Sequence, residues 1–340
     1  MMIILGIESS CDETAIAIIK NREVLAHLVL SQIDTHKAFG GVIPEVASRM
    51  HLEAIDGLIV QALAMANIGL ADIDVFAATT GPGLAGGLLV GSLAAKTLSL
   101  VHNKPFVAVN HLQGHALMPT MNEDVQFPFL LLLVSGGHTQ FLAVNGINDY
   151  KILGGTIDDA IGEAFDKSAR LLGLPYPGGR EIELLASRGD ENKYKFPLPL
   201  IGQKNCNFSF SGLKTAVREV VIGKELNDKD KKDIAASLQH TIVKILLNRT
   251  KNAIESFEKD YGKLNAMVIS GGVSANLKIR TELGDFLQNR NIRLVCPPIN
   301  LCTDNGIMIA WAGYCRASAG LFNNLDFPIK VRWSLEELKQ

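Results

Sequence analysis

The sequence lacks the features that would place it in several large functional classes. Its 340 residues include five cysteines, an odd number, and no two of them form a C-x-x-C pair. A disulfide framework or a thiolate zinc site is therefore not expected. The formal net charge is only -2, so no strong global basic field exists to hold a nucleic acid. Any RNA contact must then use a local patch or a partner protein.

The apolar segments give no sign of export or membrane insertion. The first residues lack the basic flank and long apolar core of a signal peptide. Apolar runs such as Phe129 to Val134 are far too short to span a membrane. We therefore expect a cytoplasmic protein in a reducing compartment, with no membrane partner. Hydrophobic residues make up 47% of the chain, and its length allows two domains or one large α/β unit.

Two similar strand-turn-strand patterns predict a duplicated fold. Residues 2–7 and 15–19 have the composition of buried strands, and the polar turn Glu8 to Thr14 separates them. The pattern recurs over residues 127–144, around the turn Ser135 to Thr139. Two such units, each leading an α/β half, predict two lobes with a cleft between them. Small polar turns at a cleft can bind phosphate through backbone N–H groups.

Helices are predicted between and after these hairpins. Helical periodicity covers residues 43–66, with a proline near the start. A strand over 266–270 leads into Gly271 to Asn276 and then a further helix. The last predicted helix covers residues 304–320, with Thr303 as its N-cap.

Two histidines four residues apart, His111 and His115, follow an apolar strand. If Asn110 caps a helix there, both imidazoles lie on one helix face and can hold one metal ion. The spacing is that of zinc proteases, but Leu112 stands where their general-base glutamate follows the first histidine. The pair therefore indicates a metal site and argues against a metalloprotease. A structural or exposed histidine pair is the commoner alternative.

Glycine-rich segments at strand ends are candidate anion sites. Ser135 to Gly137 and Ser270 to Gly272 offer a nest of N–H donors or a helix N-terminus to a phosphate, and a simple tight turn is the alternative for each. Gly81 to Gly87 is not a Walker loop, because no Gly-Lys-Ser/Thr follows, and helix packing explains it better.

The first polar turn carries three carboxylates, Glu8, Asp12 and Glu13. Crowded carboxylates beside a buried strand can hold a cation or orient a substrate. A solvated turn is the simpler alternative.

Taken in order, the motifs resemble the tRNA N6-adenosine threonylcarbamoyltransferases of the TsaD/Kae1 family. The resemblance runs from about residue 3 to residue 334. Its motifs are Glu8 to Thr14, His111-x3-His115, Ser135 to Gln140, Asp158 to Lys167, Tyr176 to Gly179, Phe208 to Thr215, Ser270 to Asn276 and Cys302 to Gly306. The resemblance implies an α/β, two-lobed, duplicated actin/Hsp70/hexokinase-like (ribonuclease H-like) fold with a central cleft. The first lobe is expected at 1–124 plus 303–327, the second at 125–302, and a C-terminal tail at 328–340.

The resemblance also implies an activity. It is the transfer of threonylcarbamoyl from threonylcarbamoyl-AMP to N6 of adenosine 37 in tRNAs that read ANN codons. The product is t6A, and AMP is released. The expected cofactor is one Fe²⁺ per subunit, with zinc as the alternative, since two histidines and a carboxylate suit either ion.

Each site residue follows from the same matching. The metal ligands are His111, His115 and Asp304. The residues that hold the phosphate and threonylcarbamoyl end of the adenylate are Leu133, Val134, Ser135, Gly136 and Gly137. The residues that contact the nucleoside are Asp166, Gly179, Glu183 and Asn276, although the family usually has Asp at the position of Glu183. Asp12 and Glu13 fall near the reacting centre, where Asp12 would accept or orient the proton of the attacking amine.

The implied partners are tRNA, a TsaB-like paralogous pseudo-enzyme and a TsaE-like ATPase. Because the net charge is near zero, we expect the isolated chain to bind tRNA weakly. Three other functions stay open: a kinase or ATPase of the same fold, an O-carbamoyltransferase acting on a small molecule, and a nucleotide-dependent scaffold. The identity of a bound metal, the presence of extra domains and the modification of tRNA distinguish them from the transferase.

Overall fold

The computed structural model describes residues 1–37, 39 and 41–339. Within these residues the strands are Ile3–Glu8 (β1), Glu13–Lys20 (β2), Glu23–Ser31 (β3), Val75–Gly81 (β4), Phe106–Asn110 (β5), Phe129–Val134 (β6), Thr139–Gly146 (β7), Asp149–Gly155 (β8), Ala266–Ser270 (β9) and Arg293–Val295 (β10). The α-helices are Ile33–Lys37 (α1), Pro44–Ala66 (α2), Ala85–His102 (α3), His111–Leu117 (α4), Ile161–Leu171 (α5), Gly178–Ala186 (α6), Ser211–Val221 (α7), Asp228–Tyr261 (α8), Leu277–Gln288 (α9) and Gly306–Ser318 (α10).

The chain divides into two compact units, each built on one five-stranded sheet. Unit 1 consists of Met1–Asp124, Ile147–Asp149 and Thr303–Gln340, and unit 2 consists of Val125–Gly146 and Tyr150–Cys302. The strand orders are β3-β2-β1-β4-β5 and β10-β9-β6-β7-β8. In each sheet the first strand of a hairpin also pairs in parallel with a later strand, β1 with β4 and β6 with β9. The two topologies are the same, so the predicted duplication of an α/β fold is confirmed.

Three parallel strands of unit 1 bring their ends to one edge of the sheet. β4 pairs in parallel with β1 on one side and with β5 on the other. These strands are buried almost throughout, which explains their continuous apolar sequences. Because they run in the same direction, Glu8, Gly81 and Asn110 lie along the same edge. The candidate site of unit 1 forms there.

Helix α10 packs very closely on this sheet, with its backbone against the backbone of β1. A Cβ atom on Gly6 of β1 would lie 2.4 Å from the backbone nitrogen of Ala310 in α10. α4 packs against α10 in turn, and a Cβ on Gly114 would lie 3.0 Å from Cδ1 of Ile309. The two glycines therefore set how closely α4 and α10 approach the sheet and each other.

The observed elements agree with the strands and helices described from the sequence, with small shifts at their ends. One capping prediction is wrong. Asn305, not Thr303, caps α10, because the Asn305 side chain accepts the Met308 N–H at 2.9 Å. The helix begins at Gly306, so Asp304 lies just before it and not in its first turn.

The C-terminal residues pack on unit 1 near the same edge. The Lys330 N–H donates to the Thr80 carbonyl at 2.7 Å, and the Asn110 side-chain amide donates to the Trp333 carbonyl at 3.1 Å. The end of β5 is therefore held in part by the last segment of the chain.

Helix α3 is the one helix among the described residues whose length and composition would allow it to cross a membrane. It packs against β4 and α2, and a third of it is buried inside unit 1. Core helices of folded α/β units have the same composition, so this is weak evidence for a membrane span.

Candidate metal centre and phosphate-binding turns

Two histidines lie on helix α4, which begins where strand β5 ends at the edge of the sheet. Asn110 ends the strand and caps α4, because its side chain accepts the N–H groups of Leu112 at 2.9 Å and Gln113 at 3.4 Å. The predicted cap is therefore confirmed. The helix places His111 and His115 on one face, with ring centroids 4.8 Å apart and ring planes nearly perpendicular.

Asp304 lies between the two imidazoles. Its Oδ1 is 3.0 Å from Nε2 of His115 and 3.5 Å from Nε2 of His111. One ligand atom from each of the three residues lies within 4.8 Å of the others. Two imidazole nitrogens that converge on one carboxylate oxygen form a donor set that suits iron or zinc. The residues present therefore fit one divalent ion.

A second carboxylate lies behind His111. Oε2 of Glu8 is 3.0 Å from Nδ1 of His111 and also accepts the Thr79 hydroxyl at 2.6 Å, while Oε1 accepts the Ser10 N–H at 2.6 Å. Burial lowers the pKa of His111, but the charges of Asp304 and Glu8 outweigh it and raise the pKa to about 9. Burial raises the pKa of Glu8, but His111 holds it below its usual value. The same negative field favours a divalent cation.

The predicted catalytic residues lie at the start of β2, beside this centre. Asp12 is buried. Burial raises the pKa of Glu13 well above its usual value, and the charges of Asp304 and Asp12 raise it further. Glu13 therefore keeps a proton more readily than an ordinary glutamate does. The structure thus brings Glu13 within electrostatic reach of both Asp304 and Asp12.

In unit 2, a turn of exposed glycines follows β6. The Ser135 N–H donates to the His138 carbonyl at 2.8 Å, and Gly136 and Gly137 are exposed with open space where a Cβ would lie. Helix α5 begins against this turn, since a Cβ on Gly162 would lie 2.7 Å from the Gly136 Cα. A glycine turn beside a helix N-terminus is a suitable place for a phosphate.

Leu133 and Val134 are fully buried in β6. The Val134 carbonyl faces Gly271 at the end of β9, where a Cβ would lie 2.4 Å from that oxygen. Gly271 also has a φ of +97°, a conformation that favours glycine. The side chains of Leu133 and Val134 therefore belong to the core, and these residues offer a ligand only main-chain atoms.

Two of the predicted nucleoside contacts, Asp166 and Gly179, lie close together at the start of helix α6. Oδ1 of Asp166 accepts the Gly178 N–H at 2.7 Å, and the carboxylate also accepts the Gly179 N–H. Burial raises the pKa of Asp166, and these two hydrogen bonds oppose that rise. Gly179 has open space where a side chain would lie. Asp166 thus orders the start of α6 and leaves the Gly179 position open.

Glu183 and Asn276 meet at the start of α9. Oε1 of Glu183 accepts the Leu277 N–H at 2.6 Å. The Asn276 side chain accepts the Ile279 N–H at 3.0 Å and donates to the Gln239 side chain at 3.0 Å. Glu183 and Asn276 are therefore close together, and both hold the start of this helix.

Sequence reasoning missed the contact between Glu8 and His111. It grouped Glu8 with the other carboxylates of its turn, because adjacent positions in the sequence were the only guide. The parallel order β1-β4-β5 carries the missing signal, since it brings the residue that ends β1 to the same edge as the residue that follows β5.

Solved structures of low sequence identity share this fold. Full-length HypF in a phosphate- and nucleotide-bound form aligns over 93% of this chain and 46% of its own, with a TM-score of 0.60 and 14% identity. HypF from T. kodakarensis aligns over 94% and 48%, with a TM-score of 0.64 and 15% identity. The chain thus spans about half of the length of these proteins. The activator of 2-hydroxyisocaproyl-CoA dehydratase from Clostridium difficile aligns over 95% and 99%, with a TM-score of 0.51 and 13% identity. The expected actin/Hsp70/hexokinase-like fold is confirmed.

Sequence comparison extends from fold to family. The family model described as TsaD, tRNA N6-adenosine threonylcarbamoyltransferase, matches residues 23–311. A relative of that name from Rickettsia peacockii is 52% identical over 343 residues, which cover 99% of each chain. Another, from Methylocapsa acidiphila, is 50% identical over 341 residues and covers 98% of this chain and 97% of its own. The chain therefore belongs to the family of tRNA N6-adenosine threonylcarbamoyltransferases and is a transferase.

Proposed function

We propose that this transferase moves threonylcarbamoyl from threonylcarbamoyl-AMP to N6 of adenosine 37 in tRNAs that read ANN codons. The products are t6A and AMP, and the reaction takes place in the cytoplasm. The observation that carries the proposal is the convergence of His111, His115 and Asp304 at the edge of unit 1, in a chain of this family.

The reaction needs one bond made and one broken at the carbamoyl carbon. The N6 amine of adenosine attacks that carbon, and a C–N bond forms. The bond from the carbon to the phosphate oxygen breaks, and AMP leaves with the electron pair. The amine gives up one proton, which Asp12 accepts. Glu13 suits this step less, because burial and the nearby charges of Asp304 and Asp12 raise the pKa of its carboxyl group.

The exposed glycine turn supplies the binding energy for the adenylate phosphate. Backbone N–H groups of Gly136 and Gly137 would donate to the phosphate, and the N-terminus of α5 beside them adds positive potential. The Ser135 N–H already donates to the His138 carbonyl, so Ser135 would contribute by holding the turn in shape. Donors fixed before the reaction stabilise the charge that develops on the leaving AMP. Asp166, Gly179, Glu183 and Asn276 would contact the nucleoside.

His111, His115 and Asp304 would hold one Fe²⁺, or zinc, per subunit. A divalent ion bound there supplies Lewis acidity toward the carbamoyl carbonyl or the phosphate.

The test is reconstitution with the full chain. The metal content of the purified protein is measured by elemental analysis. The chain is then incubated with its partner proteins, tRNA, threonine, bicarbonate and ATP, and the tRNA nucleosides are analysed by mass spectrometry. We expect t6A in a tRNA with adenosine at position 37 and none in a matched tRNA with guanosine there. No t6A, even when threonylcarbamoyl-AMP is supplied directly, would refute the proposed activity.

The proposal includes a paralogous subunit and an ATPase as partners, and an apolar surface of unit 1 supports the first of these. A groove of about 530 Å³ runs between α2 and α3. Leu52, Val60 and Leu93 in its lining are 66%, 66% and 54% exposed. Apolar patches of this kind mark interaction sites. A paralogue of unit 1 would carry the same helix pair, so two such pairs would pack face to face. We assign the groove to the paralogous subunit.

Leu93→Asp is expected to weaken binding of the paralogous subunit at least about tenfold, because it places a charge in the centre of an apolar contact. Calorimetric titration of the purified subunits measures the change. Ile222→Asp is the matched control, since Ile222 is 62% exposed, somewhat more than Leu93, but lies in unit 2. Unchanged affinity in Leu93→Asp would refute the assignment. Binding of the wild type to lipid vesicles that Leu93→Asp abolishes would assign the groove to a membrane surface and also refute it.

A further inference from the structure

The two histidines of the metal centre are held in different ways. Nδ1 of His111 is 3.0 Å from Oε2 of Glu8, whereas Nδ1 of His115 is buried with no hydrogen-bond partner among the described residues. Both rings turn Nε2 toward Asp304. A metal-binding histidine usually donates its second ring N–H to a carboxylate or carbonyl, which fixes its tautomer and orientation. In this centre only His111 has such a partner.

The hydrogen bonds around Glu8 determine what its oxygens can do. Oε1 accepts the Ser10 backbone N–H, and Oε2 accepts the Thr79 hydroxyl. Glu8 is fully buried, so no water replaces these partners. An oxygen that faces Nδ1 of His111 at hydrogen-bond distance requires a proton on that nitrogen. Nε2, which faces Asp304, is then the ring nitrogen that is left to bind a metal ion.

We infer that Glu8 is a positioning residue of the metal centre: by accepting the Nδ1 proton of His111, it commits Nε2 of His111 to the metal. The inference rests on the proposed use of His111, His115 and Asp304 as ligands. Glu8 would not bind the ion itself, because the imidazole ring of His111 lies between them, and it acts only through His111. Thr79 and Ser10 hold the carboxylate in place, so the orientation of His111 depends on the register of β1 against β4.

Glu8→Gln tests this by reversing the polarity at one oxygen. The Ser10 backbone N–H can only donate, so the amide oxygen must take the Oε1 position. The amide NH₂ then occupies the Oε2 position and faces Nδ1 of His111 as a second donor, and only the Ser10 hydroxyl, 3.1 Å from Nδ1, is left to accept a proton there. The tautomer with its proton on Nε2, the ligand nitrogen, is therefore favoured over its level in the wild type.

The experiment is a Co²⁺ titration of the metal-free full chain, followed through the visible d–d absorption of the bound ion. We expect Glu8→Gln to lower Co²⁺ affinity by about 10–100-fold. Asp74→Asn is the matched control, because Asp74 accepts the Ile3 N–H at the opposite end of β1. The Co²⁺ affinity of the Asp74→Asn variant should equal that of the wild type. A Glu8→Gln affinity within about twofold of the wild type would overturn the inference.

A second measurement decides the question if Glu8→Gln does not fold. In the Zn²⁺-bound wild type, ¹⁵N NMR of the histidine side chains distinguishes a protonated Nδ1 from a protonated Nε2. We expect a slowly exchanging Nδ1–H on His111, and a protonated Nε2 there would overturn the inference. Both tests read metal binding and not tRNA modification. A wild-type chain that binds neither ion would instead refute the proposed metal site.

Discussion

Replacing His111 and His115 together by alanine is expected to abolish metal binding and tRNA modification at once. The two imidazoles supply two of the three donors, and Asp304 alone is too weak a site to retain a transition metal. We expect the metal content to fall from about one ion per subunit to less than about a tenth, and t6A formation to fall at least about 100-fold. Elemental analysis and nucleoside mass spectrometry of the same preparation measure the two quantities.

His102→Ala is the control for this double variant. His102 ends α3 in the same unit, away from the sheet edge, and is half-buried. It should keep both metal and activity, and circular dichroism should show that each variant retains its fold. A metal-free double variant with full transfer activity would contradict the role given to the histidines.

Gly6→Ala is expected to destabilise unit 1 and to weaken its metal site together. The new Cβ would lie 2.4 Å from the backbone nitrogen of Ala310 and 2.7 Å from its Cα, and backbone atoms cannot move aside as a flexible side chain does. Overpacking of this kind costs about 3 kcal/mol of unfolding free energy. Because α10 begins two residues after Asp304, displacement of the helix also moves the Asp304 carboxylate of the candidate metal centre. Urea denaturation and Co²⁺ titration measure the two effects.

Gly57→Ala is the matched control, with an effect of opposite sign. Gly57 lies inside α2, and a Cβ there would meet no atom within 4 Å. Alanine should therefore stabilise the helix by about 0.5–1 kcal/mol and leave metal affinity unchanged. If the free energy of unfolding of Gly6→Ala equals that of Gly57→Ala, the close packing of α10 on β1 does not require a glycine at position 6.

The parts of the site that follow from local sequence were predicted correctly. The spacing of His111 and His115 and the cap at Asn110 depend only on the geometry of one helix and its first turn. The same holds for the strand and turn pattern that begins each unit, because alternation and turn residues are local signals.

The parts that depend on distant segments were not accessible from spacing. Asp304 lies 189 residues after His115, and its assignment came from family resemblance alone. Glu8 lies 103 residues before His111, and no helix or strand period connects them. The close packing at Gly6 and Gly114 could not be predicted either, because a glycine in a strand or helix does not by itself show which segment packs against it. These contacts arise from the register of parallel strands and from how α10 lies on the sheet.

The position of α10 near the end of the sequence also determines when the fold of unit 1 can be completed during translation. Asp304 is the 189th residue that the ribosome adds after His115, which takes roughly 10–40 s at about 5–20 residues per second. Unit 2 is synthesised during that interval, and the sheet of unit 1 has no α10 to cover it until the interval ends. The nascent chain therefore leaves an apolar face of this sheet uncovered, and the candidate metal centre is complete only when translation is almost finished.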